Sequence, residues 1–445
     1  VAGWLNEFDT PTSDADLWTS ANVQEILPGL LTPLTITLFE QTVPRAYTMD
    51  YHDLRLLGRD EWPVFMGVFY NRVFLNIGAT RMVGSRALGA TADAIEERYL
   101  GGVVTERTPT GVRERLKNWQ AEHAGRRVLT LDRKLRALDP ATLPDDRIER
   151  IRRVLMDESV RMAKAHLRVP ALAGAQYDVV ARFVRPVLGG ETEANLPTLF
   201  TGIQGVESAQ ISVDLWGLSR VALAEGIDGA LRDASFDPWQ ERKPAWQAAF
   251  AAFIERHGHR GLNEMEVSAR TWRADPSQAL AVVRSFLDMP EAQSPPASLR
   301  RQEAARLALT DEIAARMFPV QARAFRWVLH DAQRWVSLRE RTKSLLVRCA
   351  RLGDHLMPEV QARLAGRGII DAPGDLFFLA HAEVSAALGG SHETRQADVV
   401  RRKREYERNR YVVLPGRFRG RPIPLDPAER AGDGGVLTGT PVSAG

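Results

Sequence analysis

No proline interrupts the chain between Pro319 and Pro358, and that stretch reads as one long helix. At roughly 1.5 Å per residue it would be ~55 Å long, enough to form the spine of a domain. Its apolar stripe runs through Phe325, Val328, Ala332 and Val336, then resumes at Leu346 and Ala350. The three- and four-residue steps in between land on Arg339 and Lys343, so two cations stand in phase with the core face. A charge on a buried stripe needs a partner or a solvated cavity, because an unpaired buried charge is strongly destabilising. The rest of the chain must supply what faces Arg339 and Lys343.

A hydrophobic fraction of 44% with 26% charged residues is ordinary for a globular protein, so a substantial core is expected. The 59 basic residues nearly balance the 56 acidic ones, which argues against a dedicated nucleic-acid binder. The local basic run from Arg401 to Arg404, with Arg408 and Arg410, is interleaved with Glu405 and Glu407 and reads as a solvated helix face. A single cysteine, Cys349, excludes an intramolecular disulfide and a cysteine-rich zinc site, and its place beside the apolar stripe predicts a buried, inert thiol. No segment reaches eighteen consecutive apolar residues and no signal peptide opens the chain, so a cytoplasmic protein without a membrane partner is expected. The chain starts at Val1 and stops at Gly445 without a helix stop or polar tail, as a piece cut from a longer protein would.

Taken in order, residues Trp4 to Pro33 read as an irregular or extended entry, after which Thr32 and Pro33 are placed to cap and open a helix. Trp62 to Ile77 reads as a buried helix, with two strands as the alternative. Leu88 to Arg168 is helical and charged, broken at Gly101-Gly102 and near Thr108 to Gly111. A capping-box-like start at Thr142 to Asp145 leads into an inward stripe of Ile148, Ile151, Leu155, Met162 and His166, the last read as a core histidine. Pro186 to Gly205 is loop, and two helices follow over Ser208 to Ala234 and Trp239 to His257. Ser294 to Ala297 reads as a stiff connector, Leu376 to Leu379 as an extended piece, and Ala382 to Tyr411 as the last helix. Strand signals are few, so the fold class is mainly α: a large helical domain with a few short strands and an extended C-terminal connector from Val413 onward.

The stretch from His257 to Glu266 concentrates chemistry, with His259, Arg260, Glu264 and Glu266 close together on an irregular backbone. A metal centre is not expected, because His-Gly-His lacks the helical His-Glu-x-x-His spacing that supports zinc. Two readings stay open. In one the loop is structural, with Arg260 paired to Glu264 or Glu266. In the other it is the polar wall of a ligand pocket facing Arg339 and Lys343. No glycine-rich phosphate loop ending in Gly-Lys-Ser/Thr is present, so the chain lacks a Walker-type nucleotide site.

Several stretches together resemble the central region of rifampicin phosphotransferase-like proteins, relatives of phosphoenolpyruvate synthase and pyruvate phosphate dikinase. They are Asp16-Leu-Trp-Thr19 with Asn22 and Glu25, Leu31-Thr-Pro-Leu34, Gly258-His-Arg-Gly261 with Glu264, and Arg270-Thr-Trp272 before Asp275-Pro276. Arg339-Glu-Arg-Thr-Lys343, Asp375-Leu-Phe-Phe-Leu379 and Gly439 to Gly445 follow in the same order. The resemblance implies an N-terminal ATP-grasp domain that uses ATP and Mg to phosphorylate a histidine on a swivelling domain, which carries the phosphoryl group to an acceptor held here. Residues 1–412 would be the acceptor-substrate domain and 413–445 the connector to the swivelling domain, whose histidine would lie beyond Gly445. The chain itself would hold no cofactor or catalytic residue and would be inactive alone. By position, Arg339 and Lys343 would be charged substrate-pocket residues, with His259, Arg260, Glu264 and Glu266 beside them, and the acceptor a small molecule, such as a rifamycin-type antibiotic. The competing class is a helical scaffold or interaction module whose ion network is purely structural.

Overall fold

The computed structural model describes residues 6–21, 23, 27–88, 112–233 and 235–425. Asn22, Glu25, the breaks expected at Gly101-Gly102 and Thr108 to Gly111, and the terminal Gly439 to Gly445 lie outside them. The fold is mainly α, with one small antiparallel sheet among the described residues.

Strand β1 (Leu17–Thr19) arises from the extended entry, and the chain then turns into α1 (Pro33–Glu40) and α2 (Val43–Asp53). The Trp62 to Ile77 stretch forms a hairpin of β2 (Met66–Phe69) and β3 (Arg72–Asn76), not the expected helix. The physical reason is the two-residue turn Tyr70-Asn71, both with positive φ (49° and 62°), whose twist matches the flanking strands. Trp18 lies edge-on to Phe69 with ring centroids 5.1 Å apart, so the aromatic residues that suggested a buried helix instead cover one sheet face.

Helix α3 (Ile77–Leu88) follows the hairpin, and after the undescribed stretch come α4 (Val112–Arg136) and α5 (Asp145–Leu188). At 44 residues α5 is longer than expected. It continues through Pro170 and Pro186, where the sequence reading places an end near Arg168 and loop from Pro186. A proline inside a helix removes a hydrogen bond and crowds the preceding turn. Packing of Val169 and Ala173 against Trp335 offsets that loss around Pro170. At the start of α5 the expected capping box does not form: Pro144 is the N-cap, and the Thr142 hydroxyl donates to the Asp139 carbonyl instead.

The chain next builds a satellite cluster from α6 (Glu207–Ala224), α7 (Pro244–His257) and α8 (Ser277–Leu287), centred on Trp246, Phe250 and Val283. Between α7 and α8 the chain is irregular, as read from the sequence. Ser294 is not a connector residue but the N-cap of α9 (Pro295–Ala315), its hydroxyl accepting from Ala297 N at 3.3 Å.

Helix α10 (Pro319–Ala350) is the predicted spine, shortened by the turn at Leu352–His355. Pro358 instead sits in the first turn of α11 (Met357–Gly366), where its missing N–H is tolerated. Leu376 to Leu379, expected to be extended, is mostly a tight helical turn, Pro373–Phe378. The expected last helix is two, α12 (His381–Leu388) and α13 (Gln396–Asn409), separated at Gly389-Gly390, where Gly390 adopts φ 98°. The basic run on α13 is only partly a solvated face. Arg402 is buried and bridges Glu7 and Glu383 at 2.7 Å each, and Lys403 pairs with Asp375. Strand β4 (Arg417–Arg419) then pairs with β1, giving the order β2-β3-β1-β4. Part of the stretch read as a connector is therefore built into the sheet.

Helices α5 and α10 run antiparallel along their shared length. Ser159 meets Cys349, and seven residues further along each helix His166 meets Thr342. The main core wraps this seam near Met162, Leu345 and Leu346, while Val180, Val184, Phe325 and Val328 continue it at the far end. Glu266 ties the loop before α8 to α1: its carboxylate accepts from Thr32 N and Thr32 Oγ1, both at 2.8 Å, and from Ser268 N. This buried carboxylate takes the place of a side-chain cap from Thr32 itself. Replacing Glu266 by Ala strands those donors, and we expect a loss of about 3 kcal/mol in urea-unfolding stability, since hydrogen bonds to a buried charged acceptor are among the strong ones.

Candidate functional site

The seam between α5 and α10 changes character along its length. Toward the C-terminus of α10 it opens into a cleft of about 100 Å³. Its walls are apolar: Leu38, Phe39 and Val43 from the first two helices, Leu155 and Met156 from α5, Met265 and Val267 from the loop, Leu346 from α10 and Met357 from α11. Aliphatic, methionine and phenylalanine side chains line it. Arg152 and His381 add polar groups at the wall.

Arg339 and Lys343 do not line the cleft. They lie one to two turns further toward the N-terminus of α10, past Leu346, at about 5.4 Å per turn. Arg339 is part-exposed, with its side chain 40% accessible, and donates to the neighbouring Glu340 at 3.0 Å. A charge at this position therefore keeps solvent contact, which is how the apparent conflict between cation and core stripe is resolved. Its field, with that of Lys343, reaches the buried His166 imidazole across the seam. Burial first, and then these two cations, push His166 down to about 4, so the ring is neutral near pH 7 and satisfied by Thr342 Oγ1 at 2.9 Å.

The loop from His257 to Glu266 packs against the same helix. Arg348 donates to the Arg256 carbonyl at 2.5 Å, and Arg351 donates to the carbonyls of Glu266 and Ala269, so one guanidinium holds the end of α7 and the other the far end of the loop against α10. His259 Nε2 lies 3.3 Å from Ser344 Oγ, and burial holds its imidazole well below the usual histidine range. Arg260 pairs with Glu264 at 2.6 Å, inside the loop. Burial raises the Glu264 carboxyl, against the pull of Arg260 and Lys343, which puts Glu264 within the field of the α10 cation. Glu266 points away to the start of α1. The fold thus brings His259 to Ser344 and Glu264, with its partner Arg260, into the field of Lys343, and employs Glu266 elsewhere.

Sequence reading missed a further feature of this loop. His259 Nδ1, Asn263 Oδ1 and Trp272 Nε1 are buried without a hydrogen-bond partner. Such atoms are rare in folded proteins and costly, and three within fourteen residues of one loop mark a place where bound water or a ligand group completes the bonding. Asn263 also adopts φ 54° and crowds Gly29, where a Cβ would lie 2.8 Å from Asn263 Nδ2. The sequence signal was limited to the turn-forming character of Asn263. Cys349 borders the cleft but its buried thiol is pushed up to about 12, so it is inert, as expected.

Residues 166–340 match the family model of the rifampicin phosphotransferase fourth domain, which bears out the resemblance read from the sequence. The matched interval contains His166, the His257 to Glu266 loop and Arg339, and stops three residues short of Lys343. Over 447 aligned residues the chain is 22% identical to the prodigiosin synthesizing transferase PigC of Serratia marcescens, covering 89% of this chain and 48% of that protein. The chain spans about half the length of this curated relative. The chain is thus similar to rifampicin phosphotransferase over residues 166–340 and to PigC over most of its own length. Among the described residues no helix is long and apolar enough to cross a membrane.

His166 supplies a measurable signature. Its folded value of about 4 lies below the ordinary 6.5, so between these values the unfolded chain binds the additional proton. The histidine contributes nothing to pH dependence above about 6.5 and withdraws stability as pH falls toward 4. We expect His166→Gln to remove up to about 3 kcal/mol of this acid destabilisation, measured as the difference between wild-type and variant urea-unfolding curves at pH 7 and pH 4.5.

Proposed function

We propose that this chain is the acceptor-binding part of an ATP-dependent phosphotransferase that relays a phosphoryl group through a histidine to a hydroxyl of a small molecule. The observation that carries this reading is the succession along one seam: an apolar cleft, then two part-solvated cations, flanked by a loop with unsatisfied buried polar atoms. The cleft suits the body of an acceptor, and of its lining residues Met265 follows Glu264 directly in the chain while Leu346 stands about one helical turn from Lys343. An acceptor hydroxyl emerging on that side comes within reach of the cations.

In the transfer step the hydroxyl oxygen attacks phosphorus, the bond from phosphorus to the donor imidazole nitrogen breaks, and the hydroxyl proton is released. Arg339 and Lys343 attract and orient the phosphoryl oxygens and stabilise their charge as it redistributes. Arginine offers two parallel donors to two oxygens, and lysine a point charge. Their task is positioning and electrostatics. The phosphohistidine, with the ATP and Mg used to make it, belongs to ATP-grasp and swivelling domains in the same polypeptide or on separate subunits. A rifamycin-type antibiotic is one candidate acceptor, which would make the complete protein a cytoplasmic antibiotic-resistance enzyme.

The internal Arg260 to Glu264 pair and the Arg348 and Arg351 staples favour a second reading, a scaffold whose ion network only holds the loop in place. Arg339→Ala separates the two. In the complete protein, assayed with ATP against a panel of rifamycins and aromatic alcohols, we expect at least a roughly tenfold loss of acceptor phosphorylation, the scale of one lost charge-assisted contact. Stability should stay within about 0.5 kcal/mol, because the side chain is part-exposed. A variant that loses stability while keeping its acceptor phosphorylation supports the scaffold instead.

A further inference from the structure

The polar groups that line the cleft are nearly all occupied by other protein atoms. Thr35 Oγ1 accepts from Val267 N and contacts Thr32 Oγ1, Thr42 Oγ1 donates to the Leu38 carbonyl, and Ser159 faces the Cys349 thiol. Arg152 has its side chain only 9% exposed and spends its guanidinium on three neighbours, the weakest of them Ser385 Oγ at 3.4 Å. One nitrogen donates to Glu149 at 2.7 Å and the other reaches His381 Nδ1 at 2.9 Å. Two consequences follow from elementary chemistry. The Glu149 carboxylate compensates the buried Arg152 charge, so this wall presents no free cation to a ligand. Arginine can only donate, so His381 Nδ1 must be the accepting nitrogen and the ring proton resides on Nε2.

His381 is held from its other side too, by its backbone N–H donating to Thr37 Oγ1 at 2.8 Å. Burial, and then the Arg152 charge, push the imidazole down to about 4, in keeping with a neutral ring of fixed tautomer. Nε2 makes no hydrogen bond among the described residues, so its N–H is a donor that this wall leaves for a guest. Around it the cleft offers hydrocarbon and thioether surface, which excludes a hydrated anion and favours an apolar body.

We infer that the cleft binds an uncharged, mainly apolar molecule that carries a single hydrogen-bond acceptor, such as a carbonyl or ether oxygen, received by His381 Nε2–H with Arg152 as the positioning residue. This inference rests on the reading of the cleft as the seat of the acceptor molecule and narrows its chemical class. The anionic chemistry is left to the Arg339 and Lys343 end, and the neutral recognition to the Arg152 and His381 end.

Three probes of nearly equal size test it on the chain without any phosphoryl donor: 2-acetylnaphthalene, 2-ethylnaphthalene and 2-naphthoate, titrated by calorimetry at pH 7.5. We expect the ketone to bind about fivefold or more tightly than the hydrocarbon, the worth of one neutral hydrogen bond, and the carboxylate to bind weakest. His381→Phe should abolish the ketone's advantage while leaving the hydrocarbon's affinity unchanged. Equal binding of ketone and hydrocarbon by the wild-type chain, or tightest binding of 2-naphthoate, overturns the inference, whether or not the variant folds. Nitrogen NMR of the histidine rings adds a ligand-free readout: a proton on Nδ1 of His381 at pH 7 overturns it as well. If the probes rank as expected but the complete protein phosphorylates no acceptor, the cleft chemistry stands and the phosphotransfer reading falls. If phosphorylation is found but the ranking reverses, the opposite holds.

Discussion

The antiparallel packing of α5 on α10 is the constraint on which the other features depend. It sets Ser159 against Cys349 and His166 against Thr342, and so fixes which residues of each helix share a level. Because side chains three and four apart share a helix face, one seam can hold a cleft at one level and cations at the next. Burial along this seam supplies the stability, since each fully buried large apolar side chain contributes on the order of 2 kcal/mol. Both proline interruptions in α5 are tolerated within that framework.

Arginine joins this spine to the irregular parts of the chain. Arg348 and Arg351 leave the end of α10 to bond the last carbonyls of α7 and those of Glu266 and Ala269, and Arg402 joins α13 to Glu7 and Glu383. A planar guanidinium with five donors suits these tasks, because helix ends and irregular backbone present carbonyls that no helix or sheet satisfies. The same residue type thus serves as structural staple at 348, 351 and 402, as tautomer-setting partner at 152, and as part-solvated cation at 339. Burial and partner distinguish these roles; residue type does not.

The proposed placing of neutral and ionic recognition at two levels has a physical rationale. A phosphoryl group is heavily hydrated, and a cation meant to receive it must stay accessible to solvent and to an incoming domain. An apolar acceptor is driven into a cleft by the release of water from its surface. A single pocket serving both demands would either desolvate the cations or wet the apolar walls. Arg339 retains water contact while Leu346, one to two turns along, does not.

Much of this was legible in the residues themselves. Helical periodicity located α10 and the inward stripe from Ile148 to His166, Thr32-Pro33 marked the start of α1, and the single cysteine on an apolar stripe foretold an inert thiol. The motifs around Gly258 and Arg339 pointed to the family that the 166–340 match bears out. Local signals failed where partners distant in sequence decide. The Tyr70-Asn71 turn and the pairing of β1 with Arg417–Arg419 made strands of segments read as helix or connector. Core contacts carried α5 past Pro170, and a glycine pair split the last helix. Tertiary structure alone determined that Glu266 caps α1, 234 residues away in the chain, and that Arg152 meets His381 across 229. Sequence determined which helices form and which charges fall on their faces, because period and capping are local properties. Which charge is buried, which is solvated and which donor is left for a ligand depended on what packs against each, and only the folded chain specifies that.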